Sequence, residues 1–371
     1  MEIKIDREQL YKCVSRVQSI IERKSNMPIL STVLLSAKAS EIHISATDLE
    51  LGFQQVMPAE VVQEGNVTIS GRKLFEILKE SKAPTFNIQE KKDNWVFLSD
   101  GVARFNLACL PADEYPTITE PEEVSTVEID GETFSDMINK TIYSATREDA
   151  GFKLSGVFMQ KVDQNNTPAL RMVATDGHRL SMVDNPISEL DSIEIGVGIV
   201  IPKKGMAELN KMASEGGKLQ IGFKDKNCVA RRGSVLLLIR LLDSKFPDYT
   251  AVIPEKPAYI IKVERILLLE AMRKMLILSN ERYRAVKIVL DENTLDLIST
   301  NPDLGEAQEK IGIEYSGDHL EAGFNPQYFL DILQSMNSET IHLGFIDSTK
   351  PCLLTGDDDH GFLGLLMPMK L

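Results

Sequence analysis

The chain has 371 residues, of which 43% are hydrophobic and 26% charged, enough for two or three globular domains of roughly 100–200 residues each. Its net charge of −14 excludes a surface that binds nucleic acid everywhere by counterion release, so any phosphate-facing cations must be gathered on one face. No apolar run approaches the ~18–20 residues of a membrane span. Cys13, Cys109, Cys228 and Cys352 and the five histidines are dispersed, which points to free thiols in a reducing compartment and not to a metal site.

Residues 1–5 alternate like a strand and do not read as a signal peptide. Asp6 is placed to cap a helix, with Gln9 in capping-box position, and Leu10, Cys13, Val14, Val17, Ile20 and Ile21 form its apolar stripe. The other faces carry Arg7, Lys12, Arg16, Arg23 and Lys24 against Glu8 and Glu22, a basic surplus in an acidic chain. Short strands are expected over 33–37, 41–46, 51–57 and 66–70. Ser70 can cap a second helix over 72–79, which opens on Arg72 and Lys73, the wrong sign for a helix N-terminus. Strands over 85–89, 95–99 and 103–109 complete an α+β unit, and the acidic, proline-rich stretch 110–123 reads as a linker.

A strand over 124–129 restarts the order. A helix over 134–147, strands over 157–162 and 171–175, a helix from Pro202 opening on Lys203 and Lys204, and strands over 219–223, 228–232 and 235–242 follow. A second linker holds Phe246-Pro247-Asp248-Tyr249 and Pro254-Glu255-Lys256-Pro257. The third pass has a strand over 258–263, a helix over 264–279, and strands over 285–290, 294–300, 311–315 and 320–324. Asn325 and Pro326 then start a helix over 327–336, and three strands finish the chain.

Ala46-Thr47-Asp48, Ala174-Thr175-Asp176 and Ser299-Thr300-Asn301 each end an apolar strand, at intervals of 128 and 125 residues. With the helix starts, they predict three tandem α+β repeats of about 120–130 residues, two helices packed on antiparallel sheets in each. Only the second copy continues as Gly177-His178-Arg179-Leu180. Asp176, His178 and Arg179 could act as acid, base and anion clamp. No nucleophile elbow, phosphate loop or metalloprotease motif accompanies them, and the imidazole is not part of the repeat, so a structural turn is the simpler reading. Asp357-Asp358-Asp359-His360 reads as a solvated hairpin turn before a metal cluster. No catalytic residue, cofactor or metal is expected. If the repeats pack with their helices on one side, Arg7, Lys12, Arg16, Arg72, Lys73, Lys140, Lys203, Lys204, Lys211, Arg265, Arg273 and Lys274 gather on one concave surface. Such a surface suits phosphate without base readout.

Six motifs together carry a resemblance over the whole length: Met27-Pro28-Ile29-Leu30; Ala46-Thr47-Asp48-Leu49-Glu50; Val173-Ala174-Thr175-Asp176-Gly177-His178-Arg179-Leu180; Lys245-Phe246-Pro247-Asp248-Tyr249; Leu278-Ser279-Asn280-Glu281; and Met367-Pro368-Met369-Lys370-Leu371. By these the chain resembles the bacterial DNA sliding clamp family, the β subunit of DNA polymerase III. The resemblance implies clamp domains at 1–123, 124–253 and 254–371, and a head-to-tail homodimer whose six domains close a ring around double-stranded DNA. Retention by topology needs only non-specific phosphate contacts, which reconciles the acidic balance with DNA. It implies a non-catalytic, cytoplasmic, nucleoid-associated processivity factor with no membrane contact. Its partners are the clamp loader, replicative and repair DNA polymerases, and other proteins bearing short clamp-binding peptides.

By motif position the family's peptide pocket takes Leu154, Thr175, Gly177, His178, Arg179 and Leu180 on one side, and Pro247 and Val252 beyond them. Pro351, Leu365, Leu366, Met367, Pro368 and Met369 close it. Its DNA contacts map to Lys24, Arg72, Lys73, Arg147, Phe152 and Lys153, beside Lys203 and Lys204 from the helix start. Glu148, the pair Phe152-Lys153 and Ala251 depart from the family pattern. The subunit interface maps to Phe105 and Leu107 facing Ile277 and Leu278, with Arg104 near Glu306 and Glu309. A peptide-binding scaffold that forms no ring, and an enzyme built on the Asp176, His178 and Arg179 turn, are the alternatives.

Overall fold

A computed structural model describes residues 1–21, 26–146, 154–164, 166–254, 256–279 and 285–370. The first repeat runs β1 (Glu2–Asp6), α1 (Arg7–Arg16), β2 (Thr32–Lys38), β3 (Glu41–Thr47), β4 (Leu51–Pro58), β5 (Glu60–Gln63), β6 (Gly65–Ser70), α2 (Gly71–Glu80), β7 (Thr85–Lys91), β8 (Trp95–Ser99) and β9 (Arg104–Ala108). The second runs β10 (Thr126–Asp130), α3 (Gly131–Asn139), β11 (Gly156–Gln164), β12 (Thr167–Thr175), β13 (Arg179–Pro186), β14 (Ile199–Pro202), α4 (Lys203–Ala213), β15 (Lys218–Lys224), β16 (Asn227–Arg232) and β17 (Val235–Arg240). The third runs β18 (Tyr259–Glu264), α5 (Arg265–Leu278), β19 (Val286–Asp291), β20 (Thr294–Asn301), β21 (Gly305–Gly312), β22 (Leu320–Phe324), α6 (Pro326–Ser335), β23 (Thr340–Phe345), β24 (Cys352–Gly356) and β25 (Phe362–Leu366). The fold is three tandem α+β repeats.

Each repeat starts with a strand that runs directly into a helix, and in the first two the sequence says why. The Asp6 carboxylate accepts from the Gln9 amide at 2.8 Å and that of Asp130 from Thr133 at 2.9 Å, satisfying N–H groups that a helix start leaves without partners. Ser70 caps α2, and Asn325 caps α6 with Pro326 at the first position. The helices pair as α1 with α2, α3 with α4 and α5 with α6.

The sheets do not respect the repeats. One orders β10-β15-β16-β17-β4-β3-β2-β6, and another β14-β11-β12-β13-β25-β24-β23-β18. The last strand of one repeat therefore pairs with a central strand of the repeat before it, as β17 with β4 and β25 with β13. This is why the chain divides by contacts into two compact units and not three. One is residues 1–128, 192–194 and 218–241; the other is residues 129–191, 195–217 and 242–371. Two smaller sheets order β5-β1-β7-β8-β9 and β21-β20-β19-β22.

Register is fixed by burial. In the pairing of β13 with β25, Leu180 stands opposite Leu365, and both are nearly inaccessible. A slip of β25 by one residue would move Leu365 to the other face of the sheet and break this pairing.

Two expected elements need correction. The helix expected over 134–147 is α3, which begins earlier and ends at Asn139. Thr141 turns its hydroxyl back onto the Met137 carbonyl at 2.9 Å, and a short 3-10 turn follows. The strand expected over 311–315 is β21, which lies earlier, at Gly305–Gly312. Its run of Glu306, Gln308, Glu309 and Lys310 hid it, because an edge strand with one face in water needs little apolar character. The strands β5, β13 and β14 add to the expected set.

Candidate functional site

The hairpin β12–β13 is the landmark turn. Thr175 Oγ1 donates to the Arg179 carbonyl at 2.6 Å and accepts from the Gly177 amide at 3.1 Å. Asp176 Oδ1 accepts from the amides of His178 and Arg179, both at 3.0 Å. The β3–β4 hairpin makes the same four bonds. Thr47 Oγ1 bonds the Leu51 carbonyl at 2.7 Å and the Leu49 amide at 3.0 Å, and Asp48 Oδ1 bonds the amides of Glu50 and Leu51 at 3.0 and 2.6 Å. In the β20–β21 hairpin Asn301 Oδ1 takes two amides, of Asp303 and Leu304. The recurrence is therefore a self-capped turn. Gly177 sits at φ 86, a conformation that glycine adopts without strain.

Around the second corner the chain builds an aliphatic and aromatic wall. Val173, Leu180, Val200, Phe246, Tyr249 and Leu365 form a buried cluster, with Leu154, Phe158 and Leu353 among the half-buried residues against it. Phe158 stacks on Phe246 with centroids 4.9 Å apart. Arg171 clamps Asp184 with two bonds of 2.6 Å and reaches the Tyr249 hydroxyl at 3.2 Å. The terminal strand closes the corner: the Met367 amide donates to the His178 carbonyl at 2.9 Å, and that of Met369 to Gly323 at 2.8 Å. Pro351 and Leu366 are buried, Pro368 and Met369 half-buried, while Gly177, His178, Pro247, Val252 and Met367 face solvent. The structure thus brings Leu154, Leu180 and Leu365 into one cluster, with the Met367 amide against the turn.

Arg179 has a different place from the one expected. Its side chain is only 10% exposed. Nε donates to Asp176 at 3.0 Å, one terminal nitrogen to Asp331 on α6, and the other to the Tyr143 carbonyl at 2.7 Å. The guanidinium also lies 4.5 Å from the Tyr328 ring centre and 5.4 Å from that of Tyr143. With every nitrogen engaged it is a strut beneath the corner. Burial pushes the Tyr143 phenol up to about 12, so it stays neutral and hydrogen-bonds Ser181 at 2.7 Å. Sequence reasoning missed Tyr143, Phe158, Arg171, Tyr328 and Asp331, which lie on other elements and carry no local signal.

The same geometry removes acid–base chemistry from the turn. Asp176 is spent on two amides and on Arg179, and the exposed His178 ring lies beside Tyr328 at 6.5 Å. The Asp357-Asp358-Asp359 cluster also changes meaning. Asp359 is buried and accepts from the amides of Asn337 and Ser338, from the Ser338 hydroxyl at 2.6 Å and from Lys140 at 2.9 Å. It is an anchor and not a solvated turn residue. Among the described residues no group of three or more His, Cys, Asp or Glu is placed to hold a metal.

Three family models match in tandem: the N-terminal domain of the DNA polymerase III β subunit over residues 1–119, its central domain over 128–248 and its C-terminal domain over 250–370. The chain is 32% identical over 377 residues to the beta sliding clamp of Pseudomonas putida, and 30% over 375 to that of Caulobacter vibrioides, with both chains covered throughout. The chain belongs to the β sliding clamp family. Among solved structures it superimposes on the sliding clamp of Bartonella birtlesii bound to griselimycin with TM-score 0.94 at 30% identity, and on the Pseudomonas aeruginosa β subunit with TM-score 0.92 at 30% identity, each covered in full. It is a DNA sliding clamp that supports polymerase processivity, a role without catalysis, and it interacts with DNA and polymerase.

On this sliding clamp the sequence-derived cations divide into two kinds. Arg72 and Lys73 are exposed at the start of α2, each paired to Glu76 within the helix. Lys203 and Lys204 are half-buried at the start of α4, and the Lys203 ammonium donates to the Ala145 carbonyl at 2.7 Å. Lys140, expected on the basic face, is buried between Asp136 at 2.7 Å and Asp359. Arg265 donates to the Ser338 and Leu333 carbonyls, the second at the C-terminal end of α6. Lys24, Arg147, Glu148, Phe152 and Lys153 lie outside the described residues.

The interface residues lie on sheet edges. Arg104, Phe105 and Leu107 belong to β9, and Glu306 and Glu309 to β21, each an outer strand of its sheet. Ile277, at the end of α5, is 75% exposed, Leu278 is half-buried, and Glu309 is paired with Lys274 at 2.7 Å. Among the described residues no helix is long and apolar enough to cross a membrane.

Proposed function

We propose that the corner at Thr175–Leu180 is the docking site through which this clamp holds its partners by short linear peptides. The carrying observation is that a bare turn at Gly177, an exposed Met367 and an aliphatic cluster meet at one place. A glycine turn lets a peptide backbone approach closely, and leucine and methionine side chains adapt to several sequences. Gly177, His178, Pro247, Val252, Met367, Pro368 and Met369 face the peptide. Leu154, Thr175, Leu180, Pro351, Leu365 and Leu366 form the wall behind it, and Arg179 holds the wall in shape. The clamp loader, replicative and repair polymerases and other DNA-maintenance proteins are the partners.

The clamp works as a homodimeric ring of six domains, with boundaries at 1–123, 124–253 and 254–371. The β9 edge of one protomer joins the β21 edge and the end of α5 of the next, through Arg104, Phe105 and Leu107 against Ile277, Leu278, Glu306 and Glu309. Lys24, Arg72, Lys73, Arg147, Phe152, Lys153, Lys203 and Lys204 face duplex DNA in the bacterial cytoplasm, at the nucleoid. Support comes from the open edges, whose unpaired backbone groups call for a partner strand. The test is topological. Clamps loaded on nicked circles should stay bound and slide off once the DNA is linearised, and equal loss from circular and linear DNA would refute the ring.

A further inference from the structure

The opening strands of the first and third repeats share a sequence pattern. Ile3-Lys4-Ile5-Asp6-Arg7 at β1 and Ile261-Lys262-Val263-Glu264-Arg265 at β18 both run straight into a helix. Their surroundings differ. β1 lies inside its sheet, with β7 on one side and β5 on the other, and β5 runs antiparallel to it with Glu60 opposite Lys4 and Val61 opposite Ile3. β18 pairs with β23 and ends its sheet. At the end of that ladder the Arg265 amide donates to the Glu339 carbonyl at 2.8 Å. Bonding direction alternates along an antiparallel strand, so the backbone groups of Ile260, Lys262 and Glu264 point to the open side.

The place that β5 fills on β1 is a groove on β18. It measures about 620 Å³ and lies between β18 and the stretch just after β21, Gly312 to Glu314. Among the described residues nothing lies within 4 Å of a Cβ added to Gly312, so this wall stands open. Val263 and Ile313 make a floor that is already buried, whereas Ile260, in the position of Glu2, is 57% exposed. Lys262, Glu264 and Glu314 are exposed on the walls. A lysine on an open edge opposes indiscriminate strand pairing. It favours a strand that sets a carboxylate across from it, as β5 sets Glu60 across from Lys4.

We infer that the β18 edge takes up an extended segment of a partner protein by strand addition, in the antiparallel sense of β5. The first repeat shows the chemistry of the occupant. A glutamate falls opposite Lys262, a residue no larger than valine opposite Ile261, and an aliphatic residue opposite Ile260. Two positions before the glutamate, opposite Glu264, stands a lysine, which also offsets the charge of Glu314. The pattern is therefore Lys-x-Glu-x-Ile, with small residues at x. Main-chain bonds to Ile260, Lys262 and Glu264 carry the affinity, because the sealed floor leaves little apolar surface to cover beyond Ile260. The inference does not depend on the peptide reading of the corner at Thr175–Leu180.

Methyl NMR of the whole clamp, titrated with the capped peptide acetyl-Lys-Ala-Glu-Val-Ile-amide, tests it. Saturable shifts are expected at the methyls of Ile260, Val263 and Ile313, and amide exchange at Lys262 should slow severalfold. N-methylation of the peptide's glutamate removes the amide that faces β18 and should abolish the shifts. Lys262→Glu should weaken binding by about fivefold or more. A peptide with lysine in place of its glutamate should then recover binding to this variant, which a variant that had lost its fold would not show. Absence of saturable shifts at millimolar peptide, or full binding of the N-methylated peptide, overturns the inference. Shifts at the same methyls that follow clamp concentration without peptide would assign the edge to a second copy and overturn it as well.

Discussion

Two cations on comparable helices have opposite fates. Lys73, in the first turn of α2, lies exposed and pairs with Glu76 three residues on. Lys140, just beyond the end of α3, is 4% exposed and bridges Asp136 to the buried Asp359. A sequence reading puts both on one basic face. The structure spends one on its own interior and leaves the other near water, so a basic helix surface overstates the charge that DNA can meet.

The largest effect should come from the buried side. Lys140→Met leaves Asp359 buried without its counterion, and the expected loss is about 3–5 kcal/mol, read from urea unfolding. Adding Asp359→Asn should return part of it, because the uncompensated charge is gone. A loss below about 1 kcal/mol would mean that the bridge behaves like a surface pair.

Arg179→Lys comes next. An ammonium cannot reproduce three directed nitrogens and two ring contacts, so stability should fall by about 1.5–3 kcal/mol and peptide affinity should fall with it. Unchanged peptide binding in this variant would make Arg179 a support for the fold alone.

A smaller effect is expected from acid. Burial pushes the Asp359 carboxyl up, but its bonds from Lys140, Ser338 and the Asn337 and Ser338 amides outweigh burial and hold it below its usual value. A lowered carboxylate stabilises the fold above its unfolded pKa of about 3.9 and loses that contribution as pH falls through the lower folded value. Stability measured against pH should therefore drop more steeply below about pH 4 in the native chain than in Asp359→Asn.

The smallest effect on stability belongs to the exposed side. Arg72→Ala with Lys73→Ala should change stability by less than about 0.5 kcal/mol, since cations at a helix N-terminus oppose its dipole. The same pair should lower the salt dependence of DNA binding by roughly 1 in slope for each phosphate that is no longer neutralised. A native salt slope would remove both residues from the DNA face.

Much of the fold was legible because its signals are local. Asp6, Ser70 and Asn325 cap helices where their spacing predicts it. Thr47 with Asp48 and Thr175 with Asp176 close hairpins through bonds within four residues. The candidate corner was legible through Gly177, His178 and Met367, which sit in recognisable motifs. Its supporting shell was not, because Tyr143, Tyr328 and Asp331 come from two helical segments far away in sequence.

The sequence by itself determined the repeat, the turns and most helix starts, because each depends on hydrogen bonds between near neighbours. Only the tertiary structure decided which charges are free. Lys140, Arg179, Arg265 and Asp359 differ from their exposed counterparts in nothing that composition or spacing records. They differ in what distant strands and helices place around them. A buried charge is stable only where such partners satisfy it.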